Sequence, residues 1–175
     1  MSGRLSGRGD SSRGDPAHRG GPRAELPLLD RLIDDAPDEQ RDPPMSPGEA
    51  ITVLRMSVRR DLEALLNARR RWRSWPPELR ELAASPVGYG IPDFTSGAMN
   101  EAGRREMLRA EVEATIRRFE PRMVEVKVLL IENTDKLDAT LRLQIKGKLH
   151  AQQVLFDTTV DSTTADVYVS SQHYA

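Results

Sequence analysis

A single proline divides the sequence into a helical half and a strand half. Pro121 lies in the segment RRFEPRMVEVKVLLI, residues 117–131, where a helical spacing of apolar residues gives way to an alternating one. Proline has no N–H and disfavours the α conformation in the residue before it, so a helix should end at or before Glu120. We therefore expect helices upstream of this seam and strands downstream of it.

The first long helix has a clear beginning. Ser46 at the N-cap, Pro47 at the first helical position and Glu49 at the third make a capping box. The helix is expected to run to about Arg70, with one apolar face. That face comprises Ile51, Leu54, Val58, Leu62, Leu65 and Leu66.

A second long helix is predicted over residues 101–119, capped by Thr95, Ser96 or Asn100. Its apolar stripe consists of Leu108, Val112, Ile116 and Phe119. Before it, residues 85–94 are expected to form a loop in which Gly88 and Gly90 adopt positive φ. The apolar members of this loop, expected to face the core, are Tyr89, Ile91 and Phe94.

Downstream of the seam, apolar and polar residues alternate in four segments. Strands are expected at 123–132, 137–149, 152–160 and 167–170. In the first, one face is expected to carry Val124, Val126, Val128 and Leu130. The predicted fold class is α+β, with N-terminal helices packed on one face of a small, mainly antiparallel β-meander of three to four strands.

The sequence also predicts the domain organisation. Residues 1–24, rich in Gly, Arg and Ser, are expected to be a disordered basic tail. Residues 25–45 hold a short apolar segment and an acidic, Pro-rich linker, and residues 46–175 form a single α+β domain. Within the apolar segment, Leu28, Leu29, Leu32 and Ile33 share one helical face. That face either packs on its own domain or docks on a neighbouring subunit, and both readings stay open.

Composition excludes several function classes. The chain has no cysteine, so thiolate catalysis and cysteine zinc sites are absent. The net charge of −1 gives no reason to expect nucleic acid. No window resembles a secretory signal or a membrane span. We expect a soluble, cytoplasmic protein without cofactor, metal or membrane insertion.

Enzymatic chemistry would have to come from carboxylates. A glycosidase needs two carboxyl groups facing one cleft. Glu120 is the one acid expected at a half-buried joint, with Asp93 or Asp157 as a conceivable second, and no spacing identifies the pair. At a helix C-terminus, Glu120 opposes the helix dipole unless a cation answers it. Either Glu120 and Arg122 form a local bridge that fixes the helix-to-strand angle, or they pair with a partner chain.

Five motifs, taken in order, carry a resemblance to a known family. The strings LPLLDRLIDDAPDE, SVRRDLEALLNARRR, SPVGYGIPDFT, FEPR and FDTTV resemble the TssE subunit of the type VI secretion baseplate. TssE is in turn similar to the lysozyme-like baseplate wedge protein of contractile phage tails. The resemblance covers roughly residues 26–160.

This resemblance implies a structural role without catalytic residues. It implies contacts with the wedge subunits TssF, TssG and TssK, and a link to the first layer of the TssB–TssC sheath. The family's Glu-Pro-Arg triplet matches Glu120, Pro121 and Arg122, which favours the assembly contact over the local bridge. The partner-binding residues expected here are Glu120, Pro121, Arg122, Leu29, Asp30, Arg31 and Leu32. The sheath contact is expected by strand addition, at 167–170 or at the hairpin 137–160. The alternative is a peptidoglycan-hydrolysing enzyme that uses Glu120.

Overall fold

Three α-helices, two short 3₁₀ helices (Arg80–Ala84 and Pro86–Gly88) and two sheets lie in the described part of the chain. The computed structural model describes residues 28–33, 38, 46–70, 76, 78–94, 101–131, 140–149, 152–161, 164 and 166–171. The predicted tail, nearly all of the acidic linker and the predicted helix caps at 95, 96 and 100 lie outside these residues. No helix in the described ranges is long and apolar enough to cross a membrane.

The helices are α1 (Leu28–Leu32), α2 (Pro47–Asn67) and α3 (Ala102–Phe119). The predicted capping box of α2 is confirmed. The Ser46 hydroxyl accepts a hydrogen bond from the Glu49 N–H at 3.3 Å, and the Glu49 carboxylate accepts one from the Ser46 N–H at 2.8 Å. Most members of both predicted apolar stripes are buried. The buried members are Leu54, Val58, Leu62, Leu65 and Leu66 on α2, and Leu108, Val112 and Ile116 on α3.

The predicted end of α2 at Arg70 is wrong, because the helix ends at Asn67. Ala68 is extended, and Arg69–Arg70 form a short strand, β1, that pairs in parallel with β2 (Ile91–Pro92). Gly90 makes this possible with a φ of 95°, since a Cβ there would lie 2.4 Å from the Ala68 oxygen.

Two smaller predictions near these elements are also corrected. Gly88 ends a single turn of 3₁₀ helix and is required for space rather than for positive φ, because a Cβ would lie 2.3 Å from the Ala83 oxygen. The N-cap of α3 is Glu101, and not the predicted Thr95, Ser96 or Asn100. The Glu101 side chain pairs with Arg104 at 3.2 Å instead of capping the helix.

The large sheet confirms the predicted α+β meander. Its strands are β3 (Met123–Ile131), β4 (Leu141–Leu149), β5 (Gln152–Val160) and β6 (Val167–Ser171). They lie in the order β3-β4-β5-β6, each antiparallel to its neighbour. Since β4 and β5 are both interior, the hairpin 137–160 offers no free edge, which corrects one of the two expected sites of strand addition.

A β-bulge overturns the predicted face of β3. The pairing with β4 shifts between Val124 and Lys127, and Glu125 adopts a positive φ of 54°. The extra residue rotates the start of the strand, because two residues of β3 face one of β4. Met123 is therefore buried and Val124 is exposed, while Val126 and Val128 remain in the core as predicted.

Both helices pack on one face of this sheet, α3 along β3 and α2 along β6. Side chains of α3 bond to the outer edge of β3. Arg117 donates to the Val126 oxygen at 2.7 Å and Arg109 to the Val128 oxygen at 3.2 Å, while Glu113 accepts from the Val128 N–H at 3.1 Å. These bonds occupy part of the edge that another strand would use.

The edge of β6 is occupied in a similar way by α2. The Asn67 side-chain amide donates to the Val167 oxygen and accepts from the Val167 N–H, both at 2.8 Å, as a paired strand residue would. Arg59 donates to the Val169 oxygen at 3.0 Å. The opposite face of the sheet carries no layer of described residues, and we call it the outer face.

Candidate functional site

The seam between α3 and β3 is a tight turn built on Glu120. Its N–H donates to the Ile116 oxygen at 2.8 Å and ends α3, and its carbonyl accepts from the Met123 N–H at 3.1 Å and begins β3. Pro121 and Arg122 form the turn between. The side chain of Glu120 points inward, and the residue is 4% exposed. A carboxylate buried to this degree requires a cation.

Arg122 supplies that cation. Its Nε donates to one Glu120 carboxylate oxygen at 2.5 Å, and its Nη2 donates to the other oxygen. The same Nη2 reaches Asp61 on α2 at 2.6 Å, and Nη1 reaches the Ser57 hydroxyl at 3.4 Å. These bonds raise the pKa of Arg122 above its usual range, with the Glu120 bond as the largest cause. The local bridge is therefore present, and it extends to a second helix.

Arg60 carries the same set of contacts on to α1. It donates to Asp30 at 2.8 Å, to Asp61 at 3.2 Å and to the Ser57 hydroxyl at 3.2 Å. The hydrogen bond from Arg60 lowers the pKa of Asp30 below its usual value. We call the whole set the seam network; it comprises Asp30, Ser57, Arg60, Asp61, Glu120 and Arg122.

Tyr89 lies close enough to the seam network for the charges of that network to affect its pKa. Burial raises the pKa of the Tyr89 hydroxyl, and the negative charges of Asp61 and Glu120 raise it further. Its ring meets Phe119 edge to face, with ring centroids 5.3 Å apart. The loop thus packs beside the seam. Ile91 is buried as predicted, but the prediction that Tyr89 faces the core is wrong, because the residue is 39% exposed.

The structure gathers the predicted partner-binding residues into one region but gives them different roles. Glu120, Arg122 and Asp30 belong to the seam network, and Pro121 is exposed beside it. Leu29 and Leu32 on α1 are exposed, as are Leu28 and Ile33, so the apolar face of α1 points to solvent. The side chain of Arg31 lies outside the described part.

Neither interpretation of α1, packing on its own domain or docking on a neighbouring subunit, describes it fully. α1 is attached to its own domain, but through Asp30 rather than through its leucines. The four exposed aliphatic side chains, which we call the α1 patch, comprise Leu28, Leu29, Leu32 and Ile33, with exposed fractions between 52% and 73%. Docking of this patch on a neighbouring subunit stays a prediction.

Sequence reasoning missed three members of the seam network. Ser57, Arg60 and Asp61 fall within one turn of α2 beside its apolar stripe, where a polar cluster at helical spacing is a usable signal. That signal does not identify the residues that the cluster contacts, because Glu120 and Arg122 are about sixty residues away in sequence. Among the described residues, no group of three or more His, Asp and Glu is arranged to hold a metal ion.

Comparison with known proteins identifies the family. The family model for baseplate wedge protein gp25 matches residues 52–154, from the first turns of α2 to β5. The match includes the seam and excludes α1 and β6. No curated protein matches the chain. Because the family match spans more than half of the sequence, the chain belongs to the baseplate wedge protein gp25 family.

Proposed function

We propose that this protein is the TssE-like subunit of a type VI secretion baseplate wedge, a cytoplasmic, non-enzymatic part that links the baseplate to the contractile sheath. Membership of the gp25 family supports the baseplate role. The type VI assignment rests on the five ordered motifs, two of which, LPLLDRLIDDAPDE and FDTTV, lie outside the family match.

The observation that carries the proposal is the way in which the seam network presents α1. A five-residue helix is too short to be stable alone. The bond between Asp30 and Arg60 attaches it to the domain and leaves the α1 patch facing outward. Exposed aliphatic clusters of this kind mark protein contacts.

The three residues of the Glu-Pro-Arg triplet differ in exposure, and we propose a different role for each. Glu120 is too buried to offer its carboxylate to another chain, and both of its oxygens already bond to Arg122. Pro121 and the exposed quarter of the Arg122 side chain lie at the surface. We propose that TssF, TssG and TssK contact this surface and the α1 patch, with Glu120 holding Arg122 in position.

Contact with the TssB–TssC sheath is proposed at the β6 edge. β6 is an outer strand, and strand addition needs such an edge. Asn67 bonds to the backbone N–H and C=O of Val167, and Arg59 bonds to the C=O of Val169. An incoming strand would therefore pair beyond these residues, toward Ser170 and Ser171, or displace the two side chains.

Hydrolysis of peptidoglycan is the alternative, and the seam geometry argues against it. Arg122 lies between Glu120 and Asp61 and bonds to both carboxylates. A glycosidase places substrate between its two carboxyl groups, but here a guanidinium holds that space. Purified protein is expected to leave a suspension of cell walls turbid. Clearing that is lost on Glu120→Gln would overturn the proposal.

The assembly role is tested by co-purification from the native cell. The double variant Glu120→Ala/Arg122→Ala removes both charges together and so leaves no buried carboxylate unpaired. It is expected to keep its circular dichroism spectrum and to lose the large baseplate subunits. A matched control, Arg104→Ala with Glu101→Ala, removes an exposed ion pair at the other end of α3. Undiminished co-purification of the seam variant would contradict the proposal.

The sheath contact has its own test, because the chain contains no cysteine. Ser170→Cys places a single thiol on the β6 edge, and Thr159→Cys places one on the interior strand β5. With a thiol-reactive crosslinker in intact cells, only the Ser170 variant is expected to join a sheath subunit. Equal crosslinking of the two variants would argue against strand addition at β6.

A further inference from the structure

Lysine side chains cluster at one end of the outer face of the sheet. Lys127 on β3 lies directly opposite Lys146 on β4, and Lys148 follows two residues along on the same face. These are three of the four lysines in the chain, whose other basic residues are arginines. Like charges directly opposite each other on a sheet are unfavourable, so the arrangement costs stability unless something else makes use of it.

Two of the lysines, Lys146 and Lys148, line a cleft, and Lys127 lies opposite Lys146 on the neighbouring strand. The volume of the cleft is about 190 Å³, and it is lined by Glu125, Lys146, Gly147, Lys148, Gln153, Val154 and Leu155. Leu155 is only 8% exposed, although no layer of described residues covers this face. The cleft therefore combines a buried aliphatic surface with cationic walls, which is unusual for a merely solvated face.

Carboxylate recognition already takes place in this cleft. The Lys148 ammonium pairs with the Glu125 carboxylate at 2.6 Å. Glu125 occupies the bulge of β3 at positive φ, which directs it toward β4. No carboxylate of the described residues forms such a pair with Lys127 or Lys146. Lys148 thus already binds a carboxylate, and Lys127 and Lys146 are placed to bind others.

We propose that the lysine cleft binds an acidic, extended segment of a partner protein. In this proposal Lys148 exchanges the Glu125 carboxylate for one of the partner segment, and Lys146 binds a second. The two lysines lie about 7 Å apart along one strand, which is also the spacing of alternate side chains in an extended peptide. Carboxylates at alternate positions would meet the lysines, and a small apolar side chain beside them would rest on Leu155. This surface lies on the outer face of β3, β4 and β5, and it includes no residue of the seam network or of β6.

A protein partner fits the cleft better than nucleic acid. Binding of single strands relies on aromatic stacking platforms in a basic groove, and none of the residues that line the cleft is aromatic. The cationic side chains that line the cleft are also only Lys146 and Lys148 among the described residues, in a chain of net charge −1. Nucleic acid binding at this site would therefore contradict the proposal.

The first test uses the isolated full-length protein and a fluorescent peptide of alternating Glu and Thr. Fluorescence anisotropy is expected to show binding that weakens about ten-fold in Lys127→Glu/Lys146→Glu. The control variant Arg104→Glu/Arg118→Glu reverses two exposed charges on α3 and is expected to bind as the wild type does. Absence of binding, equal loss in the control, or tighter binding of oligo-dT through the same lysines would each overturn the proposal.

The second test uses the assembled complex and depends on the proposed function only for obtaining it. A carbodiimide joins amines to carboxylates in direct contact, so Lys127 and Lys146 are expected to crosslink to Asp or Glu of another subunit. Acetylation of these lysines is expected to fall on assembly. If the baseplate subunits co-purify while both lysines stay uncrosslinked and fully acetylated, this inference is wrong and the proposed function stands. Crosslinks to residues 34–44 of the same protein would also contradict it.

Discussion

At the scale of single residues, the seam neutralises a carboxylate that stands in an unfavourable position. A carboxylate at a helix C-terminus opposes the dipole, and Glu120 is buried as well. Three arginines are near in sequence, but Arg117 turns to Val126 and Glu113 instead. Arg122 alone among these three bonds to Glu120, because the Pro121 turn brings its guanidinium back over the helix end.

Removal of Arg122 alone should therefore be costly. In Arg122→Ala, Glu120 stays buried without its cation, and we expect a loss of about 3 kcal/mol in the free energy of unfolding. Arg122→Lys keeps the charge but cannot make the two-pronged bond, so its loss should be intermediate. Arg117→Ala removes a largely exposed arginine and should cost less than about 1 kcal/mol.

Urea unfolding at constant m-value measures these differences. The double variant Glu120→Ala/Arg122→Ala should be more stable than Arg122→Ala, since no charge is left behind. If Arg122→Ala were no less stable than Arg117→Ala, the seam network would not contribute to the fold.

The attachment of α1 should depend on pH through Asp30. Its pKa is lowered on the attached helix by the bond from Arg60. A lowered carboxyl pKa favours the attached state above the usual value of about 4 and loses this contribution as pH falls through the lowered pKa. Attachment should therefore be complete at neutral pH and weaken in acid below about pH 4.

The Ile33 amide reports on this equilibrium, because it donates to the Leu29 oxygen at 3.1 Å only while the helix is formed. Hydrogen exchange at Ile33, corrected for the intrinsic pH dependence, should become less protected in acid. Asp30→Asn should show low protection at every pH. A variant as protected as the wild type would show that Asp30 does not hold α1.

At the scale of elements, local signals predicted what local physics decides. The capping box and the apolar stripes of α2 and α3 follow from spacing alone, and the structure has them. The bulge in β3 was not predicted, because alternation of Val124, Val126 and Val128 reads as an unbroken strand. Across the sheet, Gly147 leaves room that the Met123 side chain fills, 2.5 Å from where a Cβ would lie.

The bulge makes a specific prediction at Glu125. A non-glycine residue at a φ of 54° bears a cost of about 1 kcal/mol that glycine avoids. Glu125→Gly and Glu125→Ala both lose the exposed pair with Lys148, so they differ mainly in backbone strain. We expect the glycine variant to be more stable than the alanine variant by about 1 kcal/mol in urea unfolding. Equal stability would mean that the bulge relaxes at no cost.

At the scale of the whole molecule, each long helix covers one end of the sheet and bonds to its edge. This arrangement leaves the β3 and β6 edges partly occupied, and the outer face carries no layer within the part of the chain that the structure describes. The sequence predicted the helix-on-sheet class but not this division. The bond between Asn67 and Val167 joins residues one hundred positions apart, and no local pattern announces it. The same holds for Arg122 and Asp61, which is why the site was predicted only in its local part.

The last prediction concerns the α1 patch, whose four aliphatic side chains are all exposed. Leu29→Ser/Leu32→Ser changes two side chains that touch little of the domain, so the free energy of unfolding should fall by less than about 0.5 kcal/mol. Burial of leucine in a partner contributes about 1.5–3 kcal/mol per side chain, so loss of two should weaken association more than a hundred-fold. We expect the variant to fold and to lose the baseplate subunits in co-purification.

The matched control is Met107→Ser/Leu79→Ser, which changes two exposed apolar residues elsewhere on the surface and should retain the baseplate subunits. Full retention by the α1 variant, or equal loss in the control, would show that the patch is an ordinary exposed surface and not an assembly contact.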